Sequence, residues 1–187
     1  MEDKSKTISE EILIIGMDIK KYQLPEPYPK IKPDKNDKKY IKLIFQDYAS
    51  RDGEMTAVNQ YIHSHITISE TDEISKQITE AFKGIAIIEM FHLELLGDLI
   101  NDLGEDPKFV SGKDNPWKSS FIPYGKSLKE KLKNAVISEE IAIKNYENHI
   151  KIIESKEIKK LLKRIVLDEK LHLEIFEKLL RKYEKIK

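Results

Sequence analysis

Apolar residues recur every three to four positions along most of this chain, a spacing that is typical of amphipathic α-helices. Ser127 and Glu130 form a capping-box pattern where one such run begins, and Gly104 follows another run at a position suited to a C-terminal cap. The pattern predicts an all-α protein with four long helices, A to D, at about residues 36–65, 70–103, 127–154 and 155 to near the C-terminus.

The connections between these helices predict how they are arranged. The A–B and C–D connections are short, so the helices of each pair are expected to be antiparallel. Residues 105–126, between helices B and C, contain three prolines, two glycines and the only tryptophan, and are long enough to cross the length of a bundle. Helices B and C are therefore expected to be parallel, in a four-helix bundle with one long crossover.

The region before helix A has a different character. Its four prolines prevent a regular helix and predict an extended arm: Pro25, Pro27, Pro29 and Pro33. We expect two parts, an N-terminal segment with this arm over residues 1–36 and a bundle domain over residues 37–187. The arm and the apolar run at residues 12–17 offer a surface for clasping a neighbouring subunit, and a homo-oligomer of two or more chains is expected.

Composition narrows the classes of partner and chemistry. The 187 residues include 33 basic and 33 acidic ones without a basic run, so nucleic acid is not an expected partner. There is no cysteine, which excludes disulfides, thiolate catalysis and thiolate-bound metals. The longest apolar run near the start is too short to cross a membrane and lacks a signal-peptide pattern, so we expect a cytoplasmic protein with no membrane partner.

Two copies of the motif Glu-x-x-His-Leu-Glu interrupt the apolar faces of helices B and D. The glutamate and histidine of each copy, Glu89 with His92 and Glu169 with His172, lie one turn apart on the same side of a helix. Most of their neighbours on that face are aliphatic or aromatic, which places both pairs in the core. Because a buried charge without a partner costs several kcal/mol or more, a metal cluster shared by the two motifs is the interpretation to test.

A dinuclear site for hard cations needs more carboxylates than these two pairs supply. On helix C, Glu139 falls on the apolar face, whereas Glu140 shares its face with lysines. On helix A the candidate is Glu54, and an internal repeat supports it: Tyr61 follows Glu54 by seven residues, as Tyr146 follows Glu139. The chain thus reads as two related halves, each with a Glu helix followed by a Glu-x-x-His helix, and predicts six ligands around two metal ions.

Other polar and aromatic residues have simpler interpretations. Four are expected at the surface: Glu94 and Glu174, about 200° round the helix from their histidines, and His63 and His149. Tyr61 and Tyr146 are either core residues or groups with a hydrogen-bonding or radical role beside the metals.

This six-residue set, spread over four helices, resembles that of the ferritin-like dimetal carboxylate superfamily, which includes bacterioferritin, rubrerythrin and manganese catalase. The resemblance covers roughly residues 38–186 and implies a ferritin-like antiparallel four-helix bundle. It also implies two Fe or two Mn ions per chain, held by Glu54 and His92 at one ion, Glu139 and His172 at the other, and Glu89 and Glu169 as bridges.

The resemblance points to more than one branch of the superfamily. The sequence Gly53-Glu54-Met55 and the Pro-rich arm look closest to manganese-catalase-like proteins, whereas the two Glu-x-x-His motifs look closer to rubrerythrin and bacterioferritin. Rubrerythrins usually have a Cys-ligated rubredoxin module and an additional glutamate on helix C. Here there is no cysteine, and Ala142 stands three residues after Glu139.

Bacterioferritins tend to have an acidic residue before each Glu-x-x-His motif. Asp168 fits that pattern and is expected to orient His92 of the other motif helix. The corresponding residue before the first motif is Ile88. His172 is therefore expected to have a different partner.

The resemblance implies a non-haem dinuclear Fe or Mn oxidoreductase that acts on hydrogen peroxide in oxidative-stress defence, as a catalase or a rubrerythrin-like peroxidase. The six ligands are then also the catalytic residues, and a peroxidase requires an electron-donor protein because the chain has no cysteine for a relay of its own. Two alternatives stay open: a ferritin-like ferroxidase that binds iron and reacts with dioxygen, and a metal-free structural or coat-associated bundle. Fe and Mn have overlapping ligand preferences, so both remain candidates.

Overall fold

Helices account for most of the residues that the computed structural model describes, 18–111 and 115–186. Five α-helices follow one another in this part of the chain: α1 Ile41–Ala49, α2 Glu54–Thr67, α3 Glu73–Asp102, α4 Leu128–Ile152 and α5 Lys156–Ile186. Three short 3-10 helices lie at Ile19–Tyr22, Lys35–Tyr40 and Ser119–Phe121. No helix in the described ranges is both long and apolar enough to cross a membrane.

The arrangement of the long helices confirms the predicted bundle. Lys129 at the start of α4 pairs with Glu184 at the end of α5, so these two helices are antiparallel. Lys182 of α5 donates to Gln77 near the start of α3, so α5 is also antiparallel to α3. Helices α3 and α4 are therefore parallel, as expected for one long crossover.

The first helix of the bundle is interrupted, and the prediction of one continuous helix over residues 36–65 is wrong. Helix α1 ends at Ala49, and α2 begins at Glu54 directly after Gly53. At Gly53 the chain packs so closely that an added Cβ would lie 2.5 Å from the carbonyl oxygen of Asp47. Only glycine fits this contact, and the break places Glu54 in the first turn of a new helix.

The crossover between α3 and α4 is fastened to the interrupted first helix. Tyr48 of α1 donates a hydrogen bond of 3.0 Å to the carbonyl oxygen of Pro107. The indole N–H of Trp117 donates to the Thr56 hydroxyl of α2 at 2.9 Å. These contacts hold the crossover against the side of the bundle where Glu54 begins α2.

Two apolar clusters fill the bundle, with a polar layer between them. Along α3 and α5, one cluster includes Leu96, Leu99, Leu162 and Ile165, and the other includes Ile78, Phe82, Ile85 and Phe176. The two Glu-x-x-His motifs lie between these clusters in both helices. Burial on both sides therefore isolates the polar layer from solvent along the bundle axis.

The described part of the Pro-rich arm packs on its own bundle, while contact of the arm with a neighbouring subunit stays a prediction. Residues 18–34 contain one 3-10 turn and then run without regular structure. Tyr22 is buried against Gly84 of α3, and Arg164 of α5 donates to the carbonyl oxygens of Leu24 and Glu26 at 2.8 and 2.6 Å. The apolar run at 12–17 lies outside the described residues.

We predict that Gly84→Ala displaces the arm. An added Cβ would lie 2.0 Å from the Tyr22 ring, and overpacking of this kind costs about 1–3 kcal/mol. Gly97→Ala in the same helix is the matched control, because its Cβ would meet Tyr48 at an ordinary 3.5 Å. Urea unfolding is expected to show loss of stability in Gly84→Ala only, with Gly97→Ala unchanged or up to about 1 kcal/mol more stable. Equal stability of the two variants would contradict the close contact.

Candidate metal centre

Six acidic and imidazole side chains converge in the polar layer, each at most 4% exposed. They come from four helices of the bundle: Glu54 from α2, Glu89 and His92 from α3, Glu139 from α4, and Glu169 and His172 from α5. These are the six residues that the sequence predicts as ligands. Helical spacing puts the members of each Glu-x-x-His pair one turn apart, so both reach the same layer.

The potential ligand atoms form two overlapping groups. In the first, atoms of Glu54, Glu89, His92 and Glu169 all lie within 4.8 Å of one another. In the second, the same holds for Glu89, Glu139, Glu169 and His172. Glu89 and Glu169 belong to both groups, and each group adds one histidine and one further glutamate. This arrangement offers two adjacent cation sites with two shared carboxylates.

The outward nitrogen of His92 is held by Asp168, as the sequence predicts. His92 Nε2 lies 3.3 Å from Asp168 Oδ2, while His92 Nδ1 faces Glu169 Oε1 at 3.0 Å. Asp168 also accepts hydrogen bonds from the Tyr28 hydroxyl at 2.6 Å and the Leu24 N–H at 2.7 Å. Such partners fix the orientation of an imidazole that binds a metal.

The sequence does not reveal all the groups that support Asp168. Arg164 lies one turn before Asp168 on α5, and its guanidinium is 2.8 Å from Asp168 Oδ2 and packs over the Tyr28 ring. The four-residue spacing between Arg164 and Asp168 is a recognisable signal for an ion pair. Tyr28 carries no such signal, because only folding of the arm brings it to α5.

His172 has the different partner that its motif requires. Its Nε2 donates to the backbone carbonyl oxygen of Tyr22 at 2.8 Å, because a carbonyl can only accept. Its Nδ1 faces Glu89 Oε1 at 3.0 Å, yet neither atom has a partner in hydrogen-bond geometry. Buried polar atoms without a hydrogen bond are costly, and a cation between them is the group that these atoms fit.

Two tyrosines connect the halves of the chain crosswise. Tyr61 donates to Glu139 Oε1 at 2.6 Å, and Tyr146 donates to Glu54 Oε1. The repeat places each tyrosine on the same helix as one glutamate, but each hydroxyl contacts the glutamate of the other half. Both tyrosines are buried. Each holds a glutamate that belongs to only one of the two ligand groups.

A cavity of about 150 Å³ reaches the cluster between α2 and α4. All four glutamates line it, whereas neither histidine does. Ala142, where the resemblance to rubrerythrins leads one to expect a glutamate, also lies on its wall. The carboxylate side of the cluster is therefore the side that a small molecule can approach.

A sequence model of the rubrerythrin family matches residues 49–180, a segment that includes all six clustered side chains. The chain belongs to the rubrerythrin family. It is thereby part of the ferritin-like dimetal carboxylate superfamily, as its motifs predict. No curated protein sequence matches the chain.

Several solved structures have the same fold. A manganese catalase from Anabaena has a TM-score of 0.77 and 23% identity, over 87% of this chain and 80% of that one. A Desulfovibrio desulfuricans bacterioferritin has a TM-score of 0.66 and 21% identity, over 81% and 84%. A ferritin-like diiron-carboxylate protein from Bacillus anthracis has 0.63 and 24%, over 79% and 99%. These likenesses confirm the ferritin-like bundle.

One of the predicted surface histidines of this rubrerythrin-family chain is in fact buried. His149 Nδ1 lies 2.8 Å from Asp47 Oδ1, and both side chains are enclosed between α1 and α4. Burial raises the pKa of Asp47 to about 6, although the His149 imidazole opposes the shift. The partner lies 102 residues away in sequence, so helical spacing gives no sign of the pair. His63 is half-buried, and Glu94 and Glu174 are exposed as predicted.

Burial and the neighbouring charges shift the pKa of every group in the cluster. Burial, reinforced by the charges of Glu89 and Glu169, raises the pKa values of Glu54 and Glu139 well above 4.5. For Glu89 and Glu169, burial is outweighed by the two imidazoles, and their pKa values are lowered. Burial opposes a rise in the pKa of either histidine, yet Tyr28 and the carboxylates raise the pKa of His92, and the carboxylates raise that of His172.

The chemistry of the donor set fits two divalent cations. Four carboxylates and two neutral imidazoles carry four negative charges, which two divalent cations balance. Two hard cations therefore fill this layer without leaving net charge in the core.

We predict that the free energy of unfolding of the metal-free protein falls as pH rises above 6.5. The folded pKa values of His92 and His172 lie above their ordinary 6.5, so their contribution is fully present below that pH and is lost as pH rises through the folded values. The raised pKa of Glu139 has the same sign above 4.5. Urea unfolding from pH 6 to 9 measures the decline.

Glu139→Gln removes one group with a raised pKa and is expected to make the decline with pH shallower. Glu174→Gln, on the exposed face of α5, is the matched control and leaves the profile unchanged. A stability that increases between pH 6.5 and 9 would be incompatible with these shifts.

Proposed function

We propose that this rubrerythrin-family chain is a dinuclear Fe or Mn oxidoreductase whose substrate is hydrogen peroxide. The observation that supports this most directly is the cavity of about 150 Å³ that ends at the carboxylates of both ligand groups. Hydrogen peroxide fits easily in a cavity of this size, which takes organic molecules up to about the size of benzene. A peroxide among the carboxylates that line the cavity lies beside both candidate ion sites.

We infer a distinct role for each class of ligand. Glu89 and Glu169, which are common to both groups, set the separation of the two ions. Glu54 and Glu139 each serve one ion, and the tyrosine hydrogen bonds restrain how far these carboxylates can shift. Two bound Fe or Mn ions supply the change of oxidation state and the positive charge that peroxide chemistry requires.

The outer groups determine which nitrogen of each imidazole is available to a metal. Asp168 and the Tyr22 carbonyl oxygen each accept from the outward Nε2 of a histidine, so the neutral imidazole that metal binding requires has its lone pair on Nδ1, which faces the cluster. The apolar clusters above and below exclude water along the bundle axis. Protein groups therefore determine geometry, protonation and access.

The source of the electrons distinguishes the catalase reaction from the peroxidase reaction. Disproportionation converts two molecules of hydrogen peroxide into two of water and one of dioxygen, with no outside reductant. A peroxidase reduces one hydrogen peroxide to two waters and takes two electrons and two protons from a donor. The 187 residues contain no cysteine, so in the peroxidase form the electrons come from a donor outside these residues.

Metal analysis and turnover test this proposal together. We expect protein purified without added metal to contain about two Fe or Mn ions per chain and to consume hydrogen peroxide. Oxygen evolution without a reductant identifies a catalase, and turnover that depends on a reductant identifies a peroxidase. Rapid oxidation of added Fe²⁺ by dioxygen, without peroxide turnover, would instead support a ferroxidase. Protein without transition metal would support a structural bundle.

Variants of the bridging glutamates give the sharpest contrast. Glu89→Ala and Glu169→Ala are expected to reduce metal affinity by more than roughly tenfold and to remove peroxide turnover, because each substitution takes a ligand from both ions. Glu174→Ala, in the same motif but exposed, is the control and retains both properties. If the bridging variants are more stable and keep their metal content, the cluster is no metal site.

A further inference from the structure

The cavity wall contains one amide whose hydrogen-bonding capacity is only half used. Gln60 of α2 is 2% exposed and lines the cavity together with the four glutamates. Its Oε1 accepts a hydrogen bond of 2.9 Å from the Ser138 hydroxyl of α4. Its Nε2 is buried and has no hydrogen-bond partner. The Ser138 contact thus fixes the amide while leaving its donor group unpaired.

The other polar side chains on this wall are differently placed. The Asn134 amide donates to the Pro123 carbonyl oxygen at 2.8 Å, and the Tyr61 hydroxyl donates to Glu139. The Thr56 hydroxyl donates to the Ser50 carbonyl oxygen at 2.9 Å. Among the buried donors of the described residues that line the cavity, Gln60 Nε2 is the one without an acceptor.

An unpaired buried amide is unfavourable, and an apolar side chain of similar shape removes that cost. The cost is offset when a ligand in the cavity supplies the missing acceptor. No acceptor among the described residues lies in hydrogen-bond geometry to Gln60 Nε2, so a molecule that enters the cavity is the source of an acceptor that remains. Gln60 lines the same cavity as the four carboxylates, so a molecule that contacts both fits within it.

We propose that Gln60, oriented by Ser138, is a hydrogen-bonding subsite that positions a small ligand with an acceptor atom, hydrogen peroxide above all, beside the dinuclear centre. This inference rests on the proposed function for the identity of the ligand. The hydrogen bond itself needs only a molecule with a free lone pair. Gln60 is a positioning residue that determines specificity and takes no part in binding the metal ions.

Azide is the probe for this subsite, because it binds such ions at one end and offers a nitrogen acceptor at the other. Titration of metal-loaded protein, followed by the azide-to-metal absorption band, gives a Kd that does not depend on turnover. Gln60→Leu is expected to raise the azide Kd roughly three- to tenfold. The KM for peroxide rises by a similar factor, with little change in kcat and in metal content.

The effect on Tm distinguishes a role of Gln60 in ligand binding from a purely structural role. Gln60→Leu removes an unpaired donor, but it also removes the acceptor of the Ser138 hydroxyl, so the metal-free variant is expected to lose less Tm than Asn134→Leu. Asn134→Leu is the matched control: it makes the same chemical change on the same wall, but removes a donor that the protein itself satisfies. It is expected to lower the Tm and to leave the azide Kd unchanged. Gln60→Met, whose side chain is about as long as that of glutamine, is a second variant that removes the amide.

The outcomes separate this inference from the proposed function. If wild-type protein binds azide but does not consume peroxide, the proposed function fails, and the azide comparison still decides the role of Gln60. Equal azide Kd values in wild type, Gln60→Leu and Gln60→Met would overturn the subsite. So would a loss of Tm in the Gln60 variants as large as that in Asn134→Leu. Wild-type protein that binds no metal overturns both proposals, whereas metal-loaded wild-type protein that binds no azide overturns the subsite alone.

Discussion

Four carboxylates enclosed in one layer of a helical bundle are the constraint on which this structure depends. Burial and mutual repulsion both disfavour their charged forms, and the two imidazoles relieve the repulsion at only two of them. Hydrogen bonds from Tyr61 to Glu139 and from Tyr146 to Glu54 offset part of this cost. A pair of divalent cations fits because it balances the charge of the four carboxylates.

The arm is part of this solution, although it lies outside the bundle. Its backbone supplies the acceptor for His172 at Tyr22 and a donor for Asp168 at Leu24. Arg164 binds two carbonyl oxygens of the same segment and also pairs with Asp168. The position of the arm and the orientation of both imidazoles are therefore coupled through one network of hydrogen bonds.

The sequence predicts the long helices and all six clustered side chains, because a polar residue on an apolar face interrupts a strong periodic signal. It does not predict the break at Gly53, since that depends on close backbone contact with Asp47. The sequence also gives no sign that the Tyr22 carbonyl oxygen contacts His172, because every residue has a carbonyl oxygen. The prediction that His149 lies at the surface is wrong because its partner on α1 is distant along the chain. Helical periodicity thus identifies which residues face the core. Contacts between segments far apart in sequence determine which groups hold the clustered side chains in place.

The crosswise tyrosine contacts have a consequence for how the protein opens. Glu54 depends on Tyr146, and Glu139 depends on Tyr61, across separations of 92 and 78 residues. Neither helical hairpin can satisfy its own glutamate, so separation of the two hairpins exposes both glutamates at once. The two ion sites therefore belong to a single cooperative unit of unfolding, and hydrogen exchange in the middle of α2 and α4 reports on the same global opening.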